Sequence, residues 1–450
     1  MKRLLLTYLL LTSFTIMTFP AVSDWVNMIP FSHGDLEVDC SKRYLQHEDG
    51  TPFLYLGDTA WEMFARLSRE EAERYLENRR LKGFTVIQSV ILTELDDFST
   101  ISGTPQLTDE TDITLSADYL NHVDHILQMA ASKGLYVALL PTWGDKVDKQ
   151  WGRGPELFNV KNAREYGRFL GARYVSYPNI IWVIGGDRSG GEKNRDIWKA
   201  MAEGIREKDS RQLMTYHPHG EHSSSIWFHD ETWLDFNMFQ SGHCQESYEI
   251  YRRLLFPDLS REPRKPVMDG EPRYEDIPRN FRLEDGRFTA YDVRKSLYQS
   301  MLSGACGYTY GCNNVWQMYT AKHIPMCEAR IPWYDSLDLE GAGQLIYFRR
   351  LWNMFSFKNG KTFFGMISTV KDGADEAVAF GGNDYLVCYF PENGRWKLNL
   401  KDWGADCYSL RWMNPRNGLM FEGGIDSRVN LEINTPDNGE KEDWVLILEK

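Results

Sequence analysis

Along most of the chain, short apolar runs alternate with longer amphipathic stretches. The apolar run at 53–57 is followed by Ser68 with Glu71 three residues on. This reciprocal N-cap pairing predicts a helix that runs to about Lys82 and is stopped by Gly83. The same order then repeats. Strand-like runs stand at 84–92, 135–140, 180–184, 213–216, 236–240, 266–268 and 307–310, and helical periodicity at 116–133, 161–175, 194–208, 247–255, 289–302 and 341–354. Strands that alternate with helices in this way predict an α/β fold, a (β/α)8 TIM barrel in preference to an open doubly wound sheet.

From about Lys361 the period changes. Short alternating runs at 377–380, 385–390, 395–400 and 444–448 are separated by Gly, Asn and Asp, the pattern of a C-terminal antiparallel β-sandwich. At the other end, Lys2 and Arg3 precede an apolar run at 4–19 and then Pro20-Ala21-Val22-Ser23. That is the order of a secretory signal, and the run is shorter than the roughly 20 residues that span a bilayer. The expected layout is a signal peptide at 1–23, a catalytic barrel at 24–355 and a sandwich at 356–450. The chain is expected to be exported, periplasmic or secreted, with no membrane attachment after cleavage.

Composition narrows the partners. The 450 residues are 42% hydrophobic and 26% charged, enough apolar material for large cores. A formal net charge of −13, with no Lys/Arg-rich block, argues against nucleic acid. Losing Lys2 and Arg3 makes the exported chain more acidic still. Aromatic residues reach 14%, which suits either sugar-stacking platforms or large aromatic cores. The seven cysteines show neither a CxxC pair nor zinc-like spacing, so most are expected to be buried and unpaired. No cofactor or metal is expected, and the chain is taken as a monomer.

In a barrel the C-terminal strand ends share one face, and that face carries the chemistry. Asp58, Trp143, Asp187, His217, His219, Gln240, Glu271 and Trp316 all fall at or just beyond such ends. Asp187 after strand four and Glu271 after strand seven lie nearly opposite each other, as glycoside hydrolysis requires of its two carboxyl groups. The competing reading makes both acids salt-bridge partners of Arg188 and Arg273. Asp58 with Trp61 can hold a sugar, the carboxylate taking hydroxyls and the indole covering a CH face; the alternative is a capping Asp and a core Trp. Trp143, Tyr310 and Trp316 extend the aromatic argument. His217 and His219, with His222, form an HxH pattern that in metal-dependent barrel hydrolases binds zinc, but no matching carboxylate-plus-histidine set follows the other strands, which favours hydrogen bonding to substrate. Lys146, Arg188, Arg273 and Arg279 follow strands and are the candidate cations for an acidic polymer.

Four segments in order, Gly57-Asp58-Thr59-Ala60-Trp61, Gly83-Phe84-Thr85-Val86-Ile87-Gln88, Ile184-Gly185-Gly186-Asp187 and Asp269-Gly270-Glu271-Pro272, resemble the apiosidase-like glycoside hydrolases. The resemblance implies a (β/α)8 catalytic domain with a C-terminal sandwich labelled as collagen-binding. It implies Asp187 as acid/base, Glu271 as nucleophile, and a substrate site that includes Gln88. It also implies cleavage of the apiose–galacturonic acid bond in the pectin rhamnogalacturonan II. One departure stands out from the commoner barrel glycosidases: their strand-four acid is a Glu after Asn, whereas here it is an Asp after Gly. Beside a two-carboxylate, retaining glycosidase stand two alternatives, a metal hydrolase using His217 and His219, and a carbohydrate- or matrix-binding protein without catalysis.

Overall fold

A computed structural model describes residues 30–110, 113–369, 376–404, 406–436 and 443–450. The expected signal at 1–23 lies outside them. Eight parallel strands build the barrel: β1 (Tyr55–Thr59), β2 (Val86–Leu92), β3 (Tyr136–Thr142), β4 (Ile180–Gly185), β5 (Met214–His217), β6 (Asn237–Gln240), β7 (Val267–Asp269) and β8 (Gly307–Tyr310). Every residue of every one is buried, because the outer faces lie under helices and the inner faces fill the barrel. The ladder runs β5-β4-β3-β2-β1-β8-β7-β6. It closes across β5 and β6 through the backbone N–H of Asp235 to Met214 O (2.8 Å) and the Thr215 hydroxyl to Phe236 O (2.6 Å).

The helices that follow the eight strands in turn are α1 (Arg69–Leu81), α2 (Ala117–Ser132), α3 (Val160–Tyr174), α4 (Arg195–Arg206), α5 (Ser225–Phe228), α6 (Glu249–Leu259), α7 (Ala290–Leu302) and α8 (Glu340–Met354). The Ser68–Glu71 box forms at the head of α1 as the sequence predicts. Between β5 and β6 the sequence shows no helical period, and there the helix is the single turn α5. A short strand at His222–Ser223 pairs antiparallel with β6 beside it, so that this side of the barrel mouth is built from loop.

After α8 come β9 (Lys361–Thr362), β10 (Ile367–Thr369), β11 (Val378–Gly381), β12 (Tyr385–Phe390), β13 (Arg395–Asn399), β14 (Tyr408–Met413), β15 (Met420–Asp426), β16 (Asn430–Asn434) and β17 (Trp444–Glu449). They form sheets β9-β11-β12-β17-β14-β15 and β10-β13-β16, enclosing a core of Leu386, Phe390, Trp396, Leu398, Leu446 and Leu448. The sandwich covers α7. The Arg294 guanidinium forks onto the buried Asp443 carboxylate (2.8 and 3.0 Å), and Tyr298 stacks on Tyr389 with ring centroids 4.8 Å apart. This explains why α7 is buried on all sides although its outer face carries Arg294 and Gln299. Of the seven cysteines, all unpaired, Cys306, Cys312 and Cys388 are buried while Cys40, Cys244 and Cys407 are exposed, so burial is less general than expected.

Candidate active site

The end of β4 turns by an unusual backbone run. Gly185, Gly186 and Asp187 have φ of +97°, +126° and +56°. A Cβ on Gly185 would sit 2.5 Å from His217 O, and one on Gly186 would sit 2.8 Å from Gly144 N, so only glycine fits at either position. The turn holds Asp187 in a conformation that non-glycine residues seldom adopt, at the mouth of the barrel. Its backbone N–H donates to His217 Nδ1 (3.1 Å), which leaves the imidazole proton on Nε2. That Nε2 lies 3.0 Å from Glu271 Oε2. Glu271 stands just beyond β7, and its other oxygen meets His243 Nε2 at 3.2 Å. One imidazole therefore ties the backbone of Asp187 to the carboxylate of Glu271.

The two acids are driven apart. Burial, then the charge of Glu271, raises Asp187 to about 6 against Arg188, His217 and the Trp151 indole, whose Nε1–H donates to Asp187 Oδ2 (3.0 Å). Burial also acts to raise Glu271, but the contacts of His217 and His243 overcome it and leave the carboxyl at about 2. Near pH 5 one acid is protonated and the other ionised, the division of labour between a proton donor and a nucleophile.

Both acids face a cleft of about 530 Å³ whose walls include Trp61, Trp143, Trp151, Trp316, Gln240 and His219. Trp61 and Trp143 meet with ring centroids 5.1 Å apart. These are the stacking surfaces that CH faces of sugars require. Among the described residues the lining contains the carboxylates Glu94, Asp187, Glu221 and Glu271 and neither lysine nor arginine. Burial and the adjacent His222 lower His219 to about 4, so it too is uncharged at neutral pH.

Several residues expected at the substrate lie elsewhere. Asp58 is an internal residue of β1, and its side chain points outward to α1. There Tyr75 Oη–H and Arg79 Nε–H both donate to Oδ2 at 2.5 Å, and the carboxylate is fully buried. Tyr310, its β8 neighbour in register, points the same way and donates to Glu275 Oε2 (2.7 Å). Gln88 lies inside the barrel below the cleft, accepting from Tyr55 Oη–H (3.2 Å) and donating to Gly270 O (2.9 Å). His217 is fully buried and meets Glu271, not solvent. His219 turns instead toward His222, with ring centroids 3.8 Å apart, so the two imidazoles of the HxH pattern diverge. Lys146, Arg273 and Arg279 are engaged away from the cleft, while Arg188 stands beside it with its Nη1 3.7 Å from Asp187 Oδ2. Lys146 binds Asp145 (2.9 Å), Arg273 binds Ser296 (2.6 Å), Arg279 binds Asp292 (2.9 Å), and Arg188 lies under Trp151 with its Nε–H on Asp148 O (2.7 Å).

Asp58 thus has a structural consequence. Asp58→Asn leaves Arg79 buried without its counter-charge and lowers stability by about 3–5 kcal/mol in urea unfolding. A sugar contact would instead change KM and leave the unfolding midpoint in place.

His243 and Trp151 complete the site, and no periodic signal marks either, since each lies in a loop. His243 also suggests a test. In His243→Ala the Glu271 carboxyl loses one of the contacts that depress it. Its pKa then climbs back toward the ordinary carboxylate range, and the acid limb of the kcat/KM–pH profile moves upward with it.

Residues 40–359 match the family described as "Apiosidase-like, catalytic domain", and residues 365–449 match "Putative collagen-binding domain of a collagenase". None of the curated proteins compared matches the chain. Two solved structures match it along nearly their whole length. One, a glycoside hydrolase, is 34% identical with a TM-score of 0.87, covering 94% of this chain and 98% of that one. The other, a glycoside hydrolase family 5 protein from Bacteroides vulgatus ATCC 8482, is 32% identical with a TM-score of 0.87, covering 94% and 95%. With a two-acid cleft at the barrel mouth and the family match spanning the whole barrel, this chain is a glycoside hydrolase and belongs to the apiosidase-like family.

Proposed function

We propose that the protein is an exported glycosidase that removes a neutral sugar from a pectic side chain, namely apiose from galacturonic acid in rhamnogalacturonan II, with retention of configuration. The observation that carries the mechanism is the placement of two carboxyls in one cleft, Glu271 held by His217 and His243 and Asp187 set opposite in a site that favours its protonated form. Glu271 attacks the anomeric carbon as the glycosidic C–O bond breaks, and Asp187 gives its proton to the departing oxygen. A water then attacks the glycosyl–Glu271 ester, and Asp187 takes up the proton that water loses. Tryptophans at the walls and the absence of lysine and arginine from the lining favour an uncharged ring next to Glu271. The galacturonate carboxylate then belongs on the outer side of the scissile bond. We read residues 24–355 as the catalytic unit, with the sandwich bracing α7, and the working form as a monomer. Among the described residues no helix is long and apolar enough to cross a membrane.

Incubation with rhamnogalacturonan II oligosaccharides, and in parallel with pooled plant polysaccharides, tests the substrate. Release of apiose supports this reading. Release of a different neutral sugar, or of a uronic acid, overturns the substrate assignment.

A further inference from the structure

Glu94 lies two residues beyond the end of β2, on the cleft wall, and the two-acid mechanism does not use it. Among the described residues no hydrogen bond or ion pair reaches its carboxyl, although most carboxylates around it are engaged. Lys146 and Arg188, the nearest cations, are committed to other acceptors: Lys146 to Asp145 and Gly154 O (2.8 Å), and Arg188 to Asp148 O, Asp187 O (2.8 Å) and Lys149 O (3.0 Å). A carboxyl set in a protein wall without protein donors costs free energy unless something else satisfies it. Glu94 shares the cleft wall with Trp143 and Asp187, where a sugar has hydroxyls to offer.

We propose that Glu94 is a substrate-binding residue whose carboxyl hydrogen-bonds a hydroxyl of the sugar held between Asp187 and Glu271. This rests on the glycosidase reading above and adds a contact to it. Burial, then the charges of Asp145 and Glu62, outweigh the pull of Arg188 and Lys146 and raise Glu94 to about 7. Over the range in which Asp187 keeps its proton, Glu94 keeps one too, and so can both donate to and accept from hydroxyls. When it ionises, the cleft gains another negative charge, and affinity for substrate falls as pH rises through 7.

The test separates this contact from catalysis by measuring binding in a protein that does not turn over. Glu271→Gln, Glu271→Gln/Glu94→Ala and Glu271→Gln/Glu94→Gln are titrated calorimetrically with rhamnogalacturonan II oligosaccharides at pH 6 and pH 8. Loss of one hydrogen bond to a sugar hydroxyl weakens binding by about 2- to 13-fold. That loss is expected for the Glu94→Ala protein at pH 6. The Glu94→Gln protein, which keeps a neutral donor, should bind within about threefold of its parent at pH 6 and should weaken less than its parent between pH 6 and pH 8. If the Glu94→Ala protein binds as tightly as Glu271→Gln, the contact does not exist while the glycosidase reading stands. If none of the proteins binds the oligosaccharides and the wild-type chain releases no sugar, the substrate reading falls, and this proposal with it. A circular dichroism spectrum and melting temperature matching the parent show that each variant is folded. Should Glu94→Ala unfold, the Gln variant's pH response decides alone.

Discussion

Glu271→Gln lowers kcat/KM by about 10⁴-fold or more, the scale of loss when a nucleophile is removed from a covalent mechanism. The effect is expected to be this large because the amide is neutral. It can neither attack the anomeric carbon nor stabilise the positive charge that develops there in the oxocarbenium-like transition state. The geometry also makes the loss specific. Glu271 is held ionised by His217 at 3.0 Å and His243 at 3.2 Å, and glutamine of the same shape keeps contacts to both without the charge. Binding of the intact oligosaccharide should therefore survive while turnover does not. The measurement is steady-state kinetics beside circular dichroism. A variant that folds and keeps more than a tenth of wild-type activity would remove Glu271 from the mechanism.

Asp187→Asn gives a different pattern, and the difference identifies the role. A positioned general acid contributes about 10²–10⁴-fold, so cleavage of the natural bond, with its poor leaving group, falls by that amount. An aryl glycoside whose phenolate departs without protonation loses far less in its first step. The pH profile changes as well. In the wild-type enzyme the productive state has Asp187 protonated and Glu271 ionised, so kcat/KM falls as pH rises through about 6 and as pH falls through about 2. Because each acid feels the other's charge, these limbs belong to the pair. In Asp187→Asn the limb near pH 6 disappears, leaving the decline near pH 7 that ionisation of Glu94 brings. An alkaline limb that stays near pH 6 would assign the proton donor to another group.

The fold was legible because the apolar runs are short and bounded, and because Ser68, Ser116, Gly83 and Gly134 mark helix ends with their own chemistry. The place of Asp187 and Glu271 at the cleft was legible for a related reason: each follows glycine just past a buried strand, where a polar side chain has only the barrel mouth to face. Asp58 was misplaced through strand length, and Tyr310 through its face, since its strand ends at 310 as read but turns Tyr310 outward beside Asp58. Reading β1 as ending at Gly57 puts Asp58 in the mouth, whereas the strand continues to Thr59 and alternation turns Asp58 outward to α1. The donors it needs there are Tyr75 and Arg79, one helical turn apart on α1 and visible only once the helix is docked.

His243, Trp151 and Glu94 escaped because loops have no period. Their positions depend on how the segments after β6, β3 and β2 fold back over the mouth. Charge misled in another way. An acidic chain working on an acidic polymer suggests cations concentrated in the cleft, yet Lys146, Arg188, Arg273 and Arg279 each meet protein acceptors, and the cleft lining holds carboxylates instead. Net charge measures the whole surface and says little about one concavity, where every side chain's direction is set by packing.

The assignment of nucleophile and acid/base is tested most directly by azide rescue of Glu271→Ala and Asp187→Ala, with the anomeric configuration of the glycosyl azide read by proton NMR. In Glu271→Ala, azide occupies the space the carboxylate leaves and displaces the protonated leaving group in one inversion, so the azide of inverted configuration is expected. In Asp187→Ala, azide replaces water in attack on the glycosyl–Glu271 ester, a second inversion, so the azide of retained configuration is expected. The opposite pairing of products, or an inverted sugar from the wild-type enzyme, would contradict the roles assigned to Asp187 and Glu271.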